Sequence, residues 1–466
     1  MALEYVSTRG QAPKLGFEDA TLAGLASDGG LYVPSACPKI DSTEIYNMAH
    51  QRYAEIAWRV MLPFVGDSIT SGDLIKMIRK SYASFSHPEV APLHRLEEDF
   101  FILELFHGPT LAFKDFALQF LGNLFDHILA QKKQRVTIIG ATSGDTGSAA
   151  IEAFRGKENA DIFILHPKGR ISEVQRRQMT TVISKNVHNL AIDGSFDDCQ
   201  NIVKALFNDA SFRAEMQLSA VNSINWARIL AQIVYYVYAS ARIGRETGNP
   251  VSFCVPTGNF GNVYAGYVAK SMGLNIGRFL VATNSNDILA RFFETGRMQK
   301  SAVVQTISPS MDIQISSNFE RLLFDLYSRD GAAVAQIMTH FSKSGPFQVD
   351  ENIMGRVRTV FSAGRQDDAQ TKAVMRDVYD QHGYMIDPHT AVGIGVARRL
   401  KKPQETIVSL ATAHPAKFPD AVFSALGKKP ELPAFLEDLI SRDEKLETLP
   451  MDVARVRDFI RTRARR

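Results

Sequence analysis

The chain has 466 residues, 45% hydrophobic and 22% charged, a globular composition long enough for roughly two to three domains. A formal charge of +3 over that length is nearly neutral and argues against a dedicated nucleic-acid binder, which carries a basic face or domain. Three scattered cysteines, Cys37, Cys199 and Cys254, make neither a disulfide framework nor a metal-ligand pattern and imply a reducing compartment.

Glu4, Arg9, Lys14 and Glu18 have no apolar core between them, so no secretory signal is expected. Residues 1–95 read as a mostly helical region, with Tyr53, Ile56, Ala57 and Val60 on one apolar stripe and Leu74, Ile75, Met77 and Ile78 on another. Within it, Asp28-Gly29-Gly30-Leu31-Tyr32-Val33-Pro34 predicts a turn into a short strand. From Phe100 onward strands and helices alternate. The pattern predicts strand 100–106 and a helix through Lys132, strand 136–140 and a helix through Phe154, strand 162–165 and a helix from near Ser172, then strand 187–192 and a helix after Asp197. That βαβα rhythm implies a mainly parallel sheet with helices on both faces, over residues 96–225. A second alternating region, residues 226–430, opens with a helix from Trp226 to Arg242. It continues through strand 251–256, helix 264–272, strand 278–283, a loop at Ser308-Pro309-Ser310-Met311-Asp312, helices 319–326 and 371–382, and strand 406–410. Asp387-Pro388 marks a turn, with His389 and Thr390 opening another helix. The apolar run from Trp226 to Ala241 is interrupted by Arg228 and Gln232 and falls short of the ~20 residues of a bilayer crossing. A cytoplasmic protein with no membrane partner is expected. Residues 431–466 look like peripheral helices, ending in Arg461, Arg463, Arg465 and Arg466 as a solvated basic end.

Chemistry concentrates at three turns. Lys114, in Phe106-His107-Gly108-Pro109-Thr110-Leu111-Ala112-Phe113-Lys114-Asp115-Phe116, stands where a turn becomes a helix. The unpaired N–H groups and dipole of a helix start disfavour an ammonium, and flanking phenylalanines withhold water, so a neutral amine able to condense with an aldehyde is expected there. An ordinary surface lysine is the plain alternative. Two glycine-rich turns follow apolar strands: Ser143-Gly144-Asp145-Thr146-Gly147, and Gly258-Asn259-Phe260-Gly261-Asn262. Backbone N–H groups in such turns hold phosphates. The first matches neither a P-loop, because Asp145 replaces a required glycine and no lysine follows, nor the dinucleotide fingerprint, because Gly140, Gly144 and Gly147 have the wrong intervals. A lysine poised for imine chemistry with two anion nests points to pyridoxal 5′-phosphate and a second anion nearby. Histidines 107, 166, 188, 389 and 414 lack paired ligand spacing, so no metal is expected.

Together with Thr412-Ala413-His414-Pro415-Ala416-Lys417-Phe418, and the opening Tyr5, Ser7-Thr8-Arg9-Gly10 and 28–34, these motifs closely resemble the bacterial and fungal branch of the threonine synthase family. The likeness runs in the same order to about Phe423. It implies the α/β architecture of fold type II pyridoxal-phosphate enzymes, with two parallel-sheet α/β domains flanking the cofactor and a mostly helical N-terminal region. It also implies conversion of O-phospho-L-homoserine and water to L-threonine and phosphate. Lys114 matches the lysine that carries the cofactor. Gly258, Asn259, Phe260, Gly261 and Asn262 match the loop holding its phosphate, and Thr412 the hydroxyl facing the pyridine nitrogen. Asp145 departs from the asparagine of relatives such as cysteine synthases, which leaves its role open. Ser143, Gly144, Asp145, Thr146 and Gly147 are candidates for the substrate's carboxylate or phosphate, with Arg170, Lys168 and Arg9 as phosphate partners and surface charge as their equal alternative. The rivals are a phospholyase or dehydratase releasing 2-oxobutanoate and a non-catalytic sensor of phosphate ligands.

Overall fold

The computed structural model describes residues 3–343 and 345–465, so Arg466 of the basic end lies outside the described residues. The chain forms two compact units, neither continuous in sequence: Met1–Ile78, Ser86–His107 and Ser223–Pro430 make the first, Arg79–Phe85, Gly108–Asn222 and Glu431–Arg466 the second.

The first unit is built on a six-stranded sheet in the order Phe361–Arg365, Ile276–Thr283, Val251–Pro256, Thr406–Ala411, Phe100–Glu104, Leu93–Glu97. Neighbours run parallel except the last pair. Strands Val251–Pro256 and Thr406–Ala411 are buried along their whole length, as central strands covered on both faces must be. On one face Phe100, Ile102, Cys254 and Leu280 share a core with Met375, Val378, Val392 and Ile394, from helices Asp368–His382 and Pro388–Leu400. The helix Trp226–Thr247 is buried around most of its circumference, with Tyr236 edge-on to Phe253 at 4.8 Å. Its polar interruptions, Arg228 and Gln232, are buried with it. In the N-terminal region, the turn at 28–30 does lead into a strand: Tyr32–Pro34 pairs antiparallel with Tyr5–Ser7.

The second unit carries a five-stranded parallel sheet in the order Glu447–Pro450, Val187–Asp193, Ala160–Pro167, Val136–Ala141, Leu218–Ser219. Helices Lys114–Lys132 and Asp145–Phe154 pack so closely that a Cβ on Gly122 would strike the main chain of Ala153. That contact lies about two turns into each helix, and their first residues, Lys114 and Asp145, also meet, so the pair runs side by side with both N-termini at one end.

The units depart from the consecutive segments expected. Phe100–Glu104, expected with the Lys114 segment, pairs with Thr406–Ala411 in the first unit, a partner that lies far off in sequence and that no local pattern announces. Residues 431–466, expected as peripheral helices, belong to the second unit and supply strand Glu447–Pro450 before helix Val453–Arg463. That strand is short, exposed and ends on a proline, so it lacks the alternation that marks a half-buried strand. The basic end is pinned in part: Arg465 donates its Nε at 2.7 Å and its main-chain N–H at 3.0 Å to buried Asp161 and Arg461 pairs with Glu215 at 2.7 Å, while Arg463 is exposed as expected. Among the described residues no helix is long and apolar enough to cross a membrane.

Candidate active site

In the second unit, Lys114 is the first residue of helix Lys114–Lys132 and is only 9% exposed. Phe113 precedes it without giving a side-chain cap, and its ring lies 5.2 Å from Nζ. The loop before it is locked by its neighbour Asp115, which is fully buried and accepts the Thr110 N–H and hydroxyl, each at 2.8 Å. Lys114 Nζ lies 3.0 Å from Asp145 Oδ2, and Asp145 Oδ1 accepts the Gln175 side-chain amide at 2.8 Å. Asp145 opens helix Asp145–Phe154. The two parallel helix starts thus bring amine and carboxylate together, and the expected neutral amine is met by an ion-pair partner that the sequence reading left unassigned.

The Ser143–Gly147 turn is tied from within. Thr142 Oγ1 accepts the N–H groups of Gly144 at 3.0 Å and Gly147 at 2.9 Å. Those two amides therefore point into the turn, and Ser143, exposed, and Thr146, half-buried, carry the side chains it offers outward. Lys168 and Arg170 are exposed on the loop after strand Ala160–Pro167, with Lys168 3.4 Å from Asp193.

In the first unit, the Gly258–Asn262 turn follows strand Val251–Pro256 and opens helix Gly261–Met272. Phe260 takes a left-handed conformation (φ 62°) and gives the helix no side-chain cap, so its first N–H groups await an acceptor. The carbonyls are held away. Gly258 O accepts Ser316 Oγ at 2.7 Å, and Asn259 O accepts Asn318 from both its main-chain N–H and its amide at 3.1 Å. A Cβ on Gly258 would lie 2.8 Å from Ser310 O, so the turn tolerates no side chain there. Tyr235 and Tyr236 hydroxyls occupy Asn262 Oδ1 at 2.6 and 2.9 Å, which leaves its Nδ2 buried with no partner among the described residues. A cradle with outward-pinned carbonyls, uncapped N–H groups and an orphaned amide donor fits a phosphate ester.

Thr412 directly follows strand Thr406–Ala411 and is 6% exposed. His107 meets Glu104 at 2.6 Å, and Glu104 also accepts the Tyr384 hydroxyl at 2.6 Å. Burial alone would raise the Glu104 carboxyl, but those two hydrogen bonds outweigh it and hold it below its ordinary value. Burial, with His107 nearby, pushes His414 down to about 4. His389 Nε2 accepts the Ser310 N–H at 3.2 Å while its Nδ1 lies 2.8 Å from Asp387, so Nδ1 carries the proton and the ring braces the loop behind Gly258. Arg9 is engaged by Glu320 through two 3.0 Å contacts and so is not aimed at a ligand. Asp115, Thr142, Gln175, Ser316 and Asn318 were not singled out from sequence. Only the first two had a local signal, a short polar side chain within five residues of the amides it serves.

Family models match along most of the chain: "Threonine synthase N terminus" at residues 4–82, "Pyridoxal-phosphate dependent enzyme" at 87–342 and "Threonine synthase, C-terminal" at 390–460. The threonine synthase of Pseudomonas aeruginosa is 52% identical over 460 residues, covering 98% of both chains. A crystal structure of pyridoxal-phosphate-bound threonine synthase from Brucella melitensis is also 52% identical, covers 100% of each chain and superposes with a TM-score of 0.98. The yeast threonine synthase structure gives 41%, coverage of 99% and 98%, and a TM-score of 0.94. The chain belongs to the threonine synthase family of pyridoxal-phosphate-dependent enzymes.

Proposed function

We propose that the chain converts O-phospho-L-homoserine and water to L-threonine and phosphate, with pyridoxal 5′-phosphate as cofactor. The observation that carries this reading is Lys114, an amine nearly out of water at a helix start and 3.0 Å from Asp145, in a chain similar to threonine synthases along its whole length. When bound, the cofactor supplies an aldehyde that condenses with amines and a ring that draws electrons from the carbon bearing the amine. Lys114 is the residue to hold the aldehyde carbon, the Gly258, Asn259, Phe260, Gly261 and Asn262 turn the phosphate, and the Thr412 hydroxyl the ring nitrogen.

As a free amine, Lys114 Nζ would take the substrate's α-proton and later move a proton at the β-carbon. Asp145, fixed by Gln175, keeps that amine in place and balances its charge when it carries a proton. In the net change the γ-carbon loses phosphate and gains a proton, while the β-carbon loses a proton and takes the hydroxyl of water. The departing phosphate, retained by donors of the chain, serves as the base for that water. Ser143 and Thr146 are the side chains proposed as contacts for the substrate's carboxylate or phosphate, with Arg170, exposed on the loop after strand Ala160–Pro167, as a cationic partner.

Incubation with O-phosphohomoserine is expected to give threonine and phosphate in equal amounts; 2-oxobutanoate in place of threonine would assign a phospholyase instead. The purified protein is expected to be yellow and to gain pyridoxyl mass at Lys114 on borohydride treatment, and Lys114→Ala to lose both that mass and turnover. A colourless protein binding phosphate compounds without turnover would make it a sensor.

A further inference from the structure

Two arginines of the first unit are deeply buried, Arg228 and Arg321, and they are satisfied differently. Arg321 donates to carbonyls: Nε and Nη2 to Tyr32 O at 3.2 and 3.0 Å, Nη2 also to Ile224 O, and Nη1 to Asn318 Oδ1. Arg228, 4% exposed, has nothing comparable. Its Nε and Nη1 are shut off from solvent with no hydrogen-bond partner among the described residues. Its position compounds the problem, because it lies in the first turn of helix Trp226–Thr247, capped by Asn225, where the helix end is itself positive. Burial pushes the guanidinium down to about 10, which still leaves it a cation at neutral pH. A buried, unpaired cation at a positive helix end is strongly disfavoured unless an anion joins it.

The neighbouring helix start shows which anion is at hand. Ile229, the next residue, has its Cδ1 3.5 Å from where a Cβ on Gly261 would stand. About two turns on, Tyr235 and Tyr236 donate to Asn262 Oδ1. The starts of helices Trp226–Thr247 and Gly261–Met272 therefore lie side by side, and Asn262, in the first turn of the second helix, has an Nδ2 that also lacks a partner among the described residues. An arginine this enclosed suits a ligand that stays, not one exchanged at every turnover.

We propose that Arg228 is the charged anchor of the cofactor's phosphate ester, acting with the N–H groups of the Gly258–Asn262 turn and the Asn262 amide. This rests on the cofactor reading above and deepens it: the phosphate is held by main-chain donors and also by a guanidinium that the motif itself does not contain.

The test titrates cofactor-free wild type, Arg228→Met and Arg228→Lys with pyridoxal 5′-phosphate and with pyridoxal, which lacks the phosphate. Arg228→Met is expected to weaken pyridoxal phosphate binding about 30-fold or more and Arg228→Lys less, with pyridoxal affinity within about twofold of wild type. Unchanged pyridoxal phosphate affinity in folded Arg228→Met would overturn the proposal and leave Arg228 a partner of the neighbouring Gln232, whose Oε1 is likewise unpaired. Equal weakening of both compounds would overturn it too. A measurement on the wild-type holoenzyme covers the case of a variant that does not fold. With arginine labelled at 13Cζ, phosphorus–carbon recoupling is expected to find one guanidinium within about 5 Å of the cofactor phosphorus. The absence of that coupling would overturn the proposal. Wild type that bound neither compound would fail the cofactor reading itself, a result distinct from any of these.

Discussion

Asp145, whose role the sequence leaves open, is given a use by its geometry. A carboxylate 3.0 Å from Lys114 and 2.8 Å from Gln175 is held on both oxygens, inside a helix start that favours negative charge. Removing one member of a nearly buried pair leaves the other charge without compensation. Asp145→Ala is therefore expected to lower the stability of the cofactor-free protein by about 3 kcal/mol, measured by urea denaturation, and to lower kcat at least tenfold. Asn259 tests the first unit at the same scale. It is exposed, and its carbonyl, not its side chain, carries the contacts to Asn318. Asn259→Asp is expected to leave the fold intact but set a negative charge against the phosphate cradle, which dialysis would reveal as faster loss of cofactor. Lys114 and the Gly258–Asn262 turn were legible in the sequence because glycines and an apolar strand announce a turn locally. Ser316, Asn318 and Gln175 were not, since each reaches its partner from a distant segment and no spacing marks it.

At the scale of the element, one arginine ties together elements of the first unit's sheet. Arg278, on strand Ile276–Thr283, donates Nε and Nη2 to Glu405 at 2.7 Å each, Nη1 to Ser362 at 2.9 Å and Nη2 to Leu400 O at 2.7 Å. It so links strand Phe361–Arg365 and the end of helix Pro388–Leu400 to the residue just before strand Thr406–Ala411. Burial alone would raise the Glu405 carboxyl, but Arg278 and the Lys402 N–H outweigh it and pull it down to about 2. Because the folded value lies below the unfolded one, the stabilisation is complete above about pH 4.5 and is lost as pH falls toward 2. Glu405→Gln is expected to cost about 2 kcal/mol at pH 7, after allowance for solvent screening. The difference from wild type should shrink between pH 4.5 and pH 2, followed as the urea midpoint at each pH. Strands Val251–Pro256, Ile276–Thr283 and Thr406–Ala411 were readable from their apolar runs, and the Asp387-Pro388 turn marked the start of a helix, whose cap the structure shows to be Asp387. Helices Ile288–Thr295, Gly331–Ser342 and Glu351–Val360 were not singled out. Strand Phe361–Arg365 was not, because its Phe-Ser-Ala-Gly-Arg sequence carries a single large apolar residue and gets its place from pairing with Ile276–Thr283.

At the scale of the whole molecule, each unit is assembled from segments far apart in sequence, and that is what a sequence read in order does not reveal. The last segment makes the point. Strand Glu447–Pro450 extends the second unit's sheet beside Val187–Asp193, and Val456 and Ile460 are fully buried with Ile139, Phe163, Leu190 and Ile192. Arg465 then closes over Asp161 on strand Ala160–Pro167. Ending the chain after Leu446 keeps Glu444 and its contacts to Arg176 and Thr180 but strips that sheet edge and that part of the core. Loss of two fully buried aliphatic side chains and the surface beneath them is expected to destabilise the second unit by about 5 kcal/mol. Hydrogen exchange should report it selectively, with amides of Ala160–Pro167 and Val187–Asp193 losing protection while those of Val251–Pro256 and Thr406–Ala411 keep theirs. Because Lys114 and Asp145 stand on helices of the second unit, borohydride trapping at Lys114 should fall in parallel with that protection. Full trapping with unchanged exchange in the shortened chain would mean that the sheet of the second unit holds the lysine in place without its C-terminal strand and helix.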